Sequence, residues 1–230
     1  MLSNGTSHFH GAKAPCDPHL AIDGLSQDAV VFIVDANLGL CDTLSHLLTS
    51  VGLRVLSFGS SVEYLEFPKP DAPSCLVLDV GLPVSGLELQ RRLAGGYHPP
   101  IIFISAVADV RCCVRAIRAG AVDFLTQPFS TYDLMSAIGT AIRQDIEVRR
   151  DVAETTRLQR RFSSLTPRER QVLPLVVDGF LNKQAAARLG ISETTFQIHR
   201  SRVIRKMGAD SVAQLVRMAG KLPLPISDSF

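Results

Sequence analysis

Cys75-Leu76-Val77-Leu78-Asp79-Val80 is the stretch on which the first half of the chain turns. Four apolar residues, Cys75 to Leu78, run without a break, and a single carboxylate follows. A run this short and continuous suits a strand buried on both faces, as in a parallel sheet. Such a strand delivers Asp79 to the carboxyl edge of the sheet, where open α/β sheets build their sites.

The pattern recurs outward from this strand. Residues 30–34 (VVFIV) form a second apolar run, ended by Asp35. Asn37 can cap the helix that follows, in which Leu40, Leu44, Leu47, Leu48 and Val51 fall at helical spacing before Gly52 stops it. Val55 and Leu56 make a short strand, and residues 60–66 a brief helix. Residues 86–93 read as a helix, and Ile101 to Ile104 as a buried strand ending at Ser105. Asp109 caps a helix carrying Val110, Cys113, Val114 and Ile117, closed by Gly120. Residues 122–125 are the last strand, before Thr126-Gln127-Pro128, and a helix from about Ser130 runs past Ile142 into a charged stretch. This is a (βα)5 alternation, the mark of a doubly wound parallel sheet. Its strand ends gather Asp35, Asp79, Ser105 and Gln127 on one edge.

A chain of 230 residues, 46% apolar, makes one large or two small domains. Net charge is only +2, but it is unevenly spread. Residues 28–150 carry 10 Lys/Arg against 13 Asp/Glu, and residues 157–221 carry 13 against 4. An acidic part followed by a basic part suggests a regulatory domain joined to a nucleic-acid-binding one. The five cysteines (Cys16, Cys41, Cys75, Cys112, Cys113) are odd in number and lack metal spacing, which suits reduced thiols in the cytoplasm. No apolar run approaches the ~20 residues of a membrane span. Residues 1–27, with His8, His10, Cys16 and His19, lack the order of a signal peptide and read as a flexible tail.

In the basic part, Thr166-Pro167-Arg168-Glu169 is a capping box with proline at the first helical position. The helix it opens carries Val172, Leu173, Val176 and Val177, with Pro174 inside it as an expected bend. Residues 182–189 make a short helix, Gly190-Ile191-Ser192 a turn with Ser192 as N-cap, and residues 193–207 a longer helix. Two helices joined by a short turn with glycine form the helix-turn-helix pattern. On the longer helix, Phe196, Val203 and Met207 fall on one side with His199 beside them, which is the expected core face. Thr194, Gln197, Ile198, Ser201, Arg202 and Arg205 fall on the other. That mixture suits base edges: arginine to guanine, glutamine to adenine, isoleucine to a thymine methyl.

Residues 29–145 resemble the receiver domain of bacterial two-component response regulators, through VFIVD, CLVLDV, GLELQ, IIFIS and AGAVDFLTQPF. Residues 165–220 resemble the LuxR-type (FixJ/NarL) helix-turn-helix, through LTPRERQVL, NKQAAARLGIS and HRSRVIRKM. The resemblance implies an α/β receiver over residues 28–145, an all-α four-helix DNA-binding domain over 163–224 and a C-terminal tail over 225–230; the charged stretch between the domains, 146–162, is free of Pro and Gly and reads as a solvated helical linker. It makes Asp79 the phosphoacceptor, Ser105 the hydroxyl that meets the phosphoryl group, and Phe124 the switch aromatic. Asp35 and Asp79, with the Gly81 carbonyl, would hold Mg2+. Residues 193–207 become the recognition helix, with Lys183, Thr195, Arg200 and Lys206 as phosphate contacts. Residues 211–219, with Val212, Leu215, Val216 and Ala219, become the dimer helix.

The receiver pocket departs from the family pattern at three places. Ala36 stands where the family has a second acid, Gln127 stands where it has a lysine, and the loop from Asp79 to Gly86 is one residue short. Ala36 removes a carboxylate from the Mg2+ site. A lysine–phosphoryl attraction at ~4 Å is worth ~1–4 kcal/mol at effective dielectrics from 80 to 20. Without it the phosphorylated state is weaker by roughly tenfold to a thousandfold. The pocket nevertheless keeps the family's formal charge of about −2, because one acid and one lysine are lost together.

The expectation is a DNA-binding transcription regulator, a homodimer on two-fold sites in double-stranded DNA. Phosphorylation at Asp79 by a cognate histidine kinase is expected to be weak or absent; the rival is that a dedicated kinase still phosphorylates it. A further reading is a phosphorylation-independent modulator that heterodimerises with another response regulator. An enzyme of phosphoryl chemistry is disfavoured by the missing acid and lysine.

Overall fold

The structure, a computed structural model, describes residues 28–83, 85–107 and 109–222. The N-terminal tail, residues 223–224 and the C-terminal tail named above lie outside the described residues. The chain divides into two compact units, the first ending at Val148 and the second beginning at Arg149.

The first unit has five parallel strands: β1 (Val30–Val34), β2 (Arg54–Phe58), β3 (Ser74–Asp79), β4 (Ile101–Ser105) and β5 (Asp123–Thr126). They lie in the order β2-β1-β3-β4-β5. Helices α1 (Leu38–Ser50), α2 (Ser61–Glu66), α3 (Gly86–Leu93), α4 (Val110–Arg118) and the start of α5 (Thr131–Ser163) alternate with them. The continuous apolar strands are explained by two cores that share the sheet. Val31, Ile33, Val77, Ile102 and Ile104 pack with Leu44, Leu48, Leu134 and Ile138 of α1 and α5. Val30, Phe32, Leu76, Leu78 and Phe103 point the other way, with Tyr64, Leu89 and Ala116 of α2, α3 and α4. Every second residue serves one face, and both faces are covered, so no polar position is left in the interior of β1, β3 or β4. The expected caps are present: the side chains of Asn37, Asp109 and Ser192 each accept a hydrogen bond from a first-turn N–H.

The sheet order reverses direction between β1 and β3, and open α/β sheets form their crevice at such a point. Val34 pairs with Leu78, so Asp35 and Asp79 are the next residues past one rung of the ladder. Asp79 pairs with Ile104, and Ser105 with Thr126, which places Ser105 and Gln127 beside them on the same edge.

The second unit contains the end of α5, then α6 (Pro167–Val177), α7 (Asn182–Leu189), α8 (Glu193–Met207) and α9 (Val212–Ala219). Both halves of the capping box at Thr166 and Glu169 are formed. Helix α6 continues through Pro174, and the Asp178 N–H bonds the Pro174 carbonyl at 2.8 Å. Phe196, Val203 and Met207 of α8 are fully buried among Val172, Leu173 and Leu215.

Two expectations are corrected. The charged stretch 146–162 is helical, but it is not simply solvated, because Leu158 is buried in the core of the second unit. Between Thr155 and Arg161 its neighbours are all polar in sequence, and only Phe162, one turn on, packs partly against the same core, too few apolar positions to read a period. In α9, Leu215 and Ala219 are buried in the same unit and are unavailable to a second copy. Val212 packs partly against that core, and Val216, 40% exposed, is the expected dimer residue that faces outward.

Candidate functional site

The edge pocket is built around two acids. Asp35 is buried, and its Oδ1 accepts the Asn37 N–H at 2.7 Å. Its own N–H donates to the Phe58 carbonyl at 3.1 Å, tying the loop to β2. Burial pushes the Asp35 carboxyl above its ordinary pKa, the Asn37 N–H offsets part of this, and the charge of Asp79 pushes it up further. The Asp79 charge thus reaches the Asp35 carboxyl. Gly81 lies against the Asp79 carboxylate: a Cβ at Gly81 would stand 3.1 Å from Asp79 Oδ2. Gly86, at the start of α3, is packed tighter still, since a Cβ there would meet the Asp79 carbonyl oxygen at 2.5 Å. The first turn of α3 is thus pressed onto the end of β3.

The rest of the pocket holds less charge. Ser105 Oγ donates to the Val107 carbonyl at 2.9 Å and accepts the Val107 N–H at 3.2 Å, so its hydroxyl is engaged by its own loop. The Gln127 N–H bonds the Ser105 carbonyl at 2.8 Å, which brings Gln127 to this edge, half-buried. Ala36 is exposed and has no ligand atom in its side chain. Phe124 is half-buried on β5, its ring centroid 6.1 Å from that of Phe103. Among the described residues, no group of three or more His, Cys, Asp or Glu comes together as a metal site. Two like charges in mutual range fit a small hard cation, with waters completing the shell, but with one carboxylate fewer than a three-acid site.

The other set of residues lies on α8. Thr194, Gln197, Ile198, Ser201, Arg202 and Arg205 are all exposed, and Ile198 remains 48% accessible. Ser192 caps the helix by accepting the Thr195 N–H at 3.1 Å, and its hydroxyl meets that of Thr195 at 2.8 Å. His199 is half-buried on the core side, with its Nδ1 enclosed and without a hydrogen-bond partner.

The four expected phosphate contacts separate. Lys183 is exposed on α7. Thr195 belongs to the cap, and Arg200 Nη1 donates to Asn182 Oδ1 at 2.7 Å, joining α8 to α7. Lys206 is a correction: its Nζ lies 2.6 Å from Glu169 Oε2, whose side chain is only 3% exposed, and 3.2 Å from the Ser164 carbonyl. An ammonium that compensates an enclosed carboxylate is held for the fold. The Lys206 hydrogen bond, with the Thr166 N–H second, draws the Glu169 carboxyl down to about 2.

Several polar anchors had no signature in the sequence. Asp145 of α5 is buried and accepts the Ser74 N–H at 2.8 Å and the Tyr97 hydroxyl. Buried Gln90 of α3 donates to the Ala116 and Ala119 carbonyls near the end of α4, both at 3.2 Å. Each joins residues at least 26 positions apart, which no local pattern reports.

An edge pocket on a 2-1-3-4-5 sheet and a helix-turn-helix with a polar outer face define a two-domain signalling and DNA-binding protein. Residues 31–139 match the response regulator receiver domain, and residues 163–219 match the bacterial regulatory proteins of the luxR family. Nodulation protein W of Bradyrhizobium diazoefficiens is 44% identical over 199 residues, covering 86% of this chain and 88% of that protein. Response regulator protein TmoT of Ectopseudomonas mendocina is 43% identical over 198 residues, covering 85% and 90%. The solved structure of response regulator StyR matches with a TM-score of 0.77 and 39% identity, over 85% of this chain and all of that one. The chain belongs to the two-component response regulators that carry a receiver domain and a LuxR-type DNA-binding domain, and it is a transcriptional regulator. Among the described residues no helix is long and apolar enough to cross a membrane.

Proposed function

We propose that this regulator reads double-stranded DNA with the outer face of α8, as a dimer on a two-fold site, and that phosphorylation of Asp79 controls it only weakly. The reading of α8 is supported by the division of its residues. Phe196, Val203 and Met207 are buried, while Gln197, Ile198, Arg202 and Arg205 are all exposed on one side. An isoleucine left half-accessible between a glutamine and two arginines suits a thymine methyl flanked by hydrogen-bonding base edges. Val216 on α9 is the outward apolar residue proposed for the dimer contact.

In the receiver, Asp79 is the proposed phosphoacceptor, with Ser105 to meet the phosphoryl group and Phe124 to follow Ser105. Asp35 and Asp79, with the Gly81 carbonyl, would hold Mg2+, which supplies charge neutralisation around the phosphoryl oxygens when bound. Ala36 gives that ion no carboxylate, and Gln127 offers a hydrogen bond without charge. Both reduce the stability of the phosphorylated state relative to a pocket with an acid and a lysine there. A histidine kinase is the proposed donor.

The test is binding of the full chain to labelled duplexes over a range of salt. Lys183, Arg202 and Arg205 are the three proposed phosphate or base-edge cations per subunit. If all six in a dimer neutralise phosphates, log K falls against log[salt] with a slope of about −5. Binding that ignores salt, or prefers no sequence, contradicts the proposal.

A further inference from the structure

We infer that Arg161, on the last turn of α5, is a positioning residue for DNA reading: it holds the C-terminal end of α8 in place. The inference rests on the proposed role of α8. Arg161 Nη1 donates to the carbonyl of Met207, the last residue of α8, at 2.8 Å. The final carbonyls of a helix have no partner within it, and a cation there also meets the negative end of the helix dipole. Gly208 makes room for the contact. Its φ is +66°, and a Cβ on it would stand 2.7–2.9 Å from the Arg161 guanidinium atoms. Glycine at 208 is therefore favoured by its own backbone and also by the arginine that covers it.

The turn of α5 that carries Arg161 is itself anchored. Leu158, one turn earlier, is buried in the same core as Met207. Arg170 of α6 donates to the Ser163 carbonyl at 3.0 Å, and its guanidinium stands 5.6 Å from the Phe162 ring centroid. Lys206, bonded to Glu169 and to the Ser164 carbonyl, fixes the same end of α8 a second time. Arg205 is two residues before Met207, and Arg202 five. A rotation of this final stretch re-aims both guanidinium groups, and bidentate recognition of a base tolerates little misalignment. Arg161 has no need to touch DNA to affect which sequence is bound.

The experiment compares affinities of the full chain for its preferred duplex and for a scrambled duplex, each with its salt slope. Arg161→Ala is expected to weaken preferred-site binding by about tenfold, the order of one charge-assisted hydrogen bond partly transmitted. Its affinity for scrambled DNA and both salt slopes should stay at wild-type values. Arg161→Lys, which keeps a cation at the helix end, should recover most of the preference. Gly208→Asn supplies an independent route, because asparagine tolerates the left-handed backbone while its Cβ displaces the guanidinium. It should show the same selective loss. Equal losses on both duplexes with a salt slope shallower by about 1 would make Arg161 a phosphate contact and overturn the inference. An unchanged preference in Arg161→Ala, or in Gly208→Asn where the alanine variant does not fold, overturns it as well. A wild-type chain that prefers no sequence overturns the α8 proposal itself, and this role with it.

Discussion

Replacing Glu169 with glutamine removes the charge from one side of an enclosed ion pair while keeping the shape of the side chain. The carboxylate is 3% exposed and its partner Lys206 31%. Removing one partner from a fully buried pair costs about 3–5 kcal/mol. Lys206 keeps some access to water, so the expected cost of Glu169→Gln is about 2–3 kcal/mol. Glutamine can still accept the Thr166 N–H, so loss of the cap is not included in that cost. Lys206→Met strands the deeper group and is expected to cost at least as much. The double variant should be no worse than the costlier single, because no unpaired charge remains. Urea unfolding followed by circular dichroism at 222 nm measures these values. Tyrosine emission follows the first unit separately, since the chain has no tryptophan and its three tyrosines are Tyr64, Tyr97 and Tyr132. The acid response gives a second reading. The Glu169 carboxyl falls from 4.5 to about 2, chiefly through the Lys206 hydrogen bond. A depressed carboxyl stabilises the fold fully above its unfolded value and loses that contribution as pH falls through the folded one. The second unit should therefore weaken between about pH 4.5 and pH 2, and Lys206→Met should flatten that slope. Single variants that each cost under about 0.5 kcal/mol, or an acid slope unchanged in Lys206→Met, would show that the Glu169–Lys206 pair does not hold this unit together.

Gly86→Ala forces a methyl against the Asp79 carbonyl, where a Cβ would lie at 2.5 Å, and should destabilise the receiver by about 1–3 kcal/mol in urea unfolding. Leu215→Ala should cost about 2–5 kcal/mol, because Leu215 is fully buried within its own unit. Val216→Asp, at a 40% exposed site, should change stability by less than about 0.5 kcal/mol yet lower dimer content in sedimentation. Asp79→Asn removes a charge that raises the Asp35 carboxyl, so the Asp35 titration followed by carboxyl NMR should move to lower pH. A raised carboxyl favours the fold at low pH and loses that contribution as pH rises through the folded value. The variant should therefore be the more stable protein at neutral pH, with the difference shrinking as pH falls through the raised Asp35 value and gone once the ordinary carboxylate range is reached.

The receiver was legible in the sequence because its information is local. The VVFIV, CLVL and IIFI runs are apolar throughout, since each strand is covered on both faces, and Asn37 and Asp109 cap helices within three residues of themselves. The faces of α8 were legible for the same reason: a 3.6-residue period sorts Phe196, Val203 and Met207 from Gln197, Ile198 and Arg202. What failed was pairing over distance. Lys206 looks like any cation on a basic helix until Glu169, 37 positions away, is seen beneath it. Leu215 sits on a helix whose apolar residues could face a core or a second copy, and only packing decides between them. Arg161 stands in a stretch of charge, where nothing in the sequence separates a solvated arginine from one that closes the end of another helix. The Asp35–Asp79 pocket lies between these cases. Strand ends predicted its members, but the tie of the Ser105 hydroxyl to Val107 came only from the fold.

We propose that Ala36 and Gln127 leave Asp79 a weak phosphoryl site in a working DNA-binding regulator. The direct measurement treats the wild type and Ala36→Asp/Gln127→Lys with a small-molecule phosphodonor and Mg2+, reading phosphoprotein, dimer content and DNA affinity together. A faint response is expected in the wild type and a response at least about tenfold stronger in the double variant, abolished in both by Asp79→Ala. A wild type that is phosphorylated, dimerises and binds DNA as strongly as the double variant would contradict it.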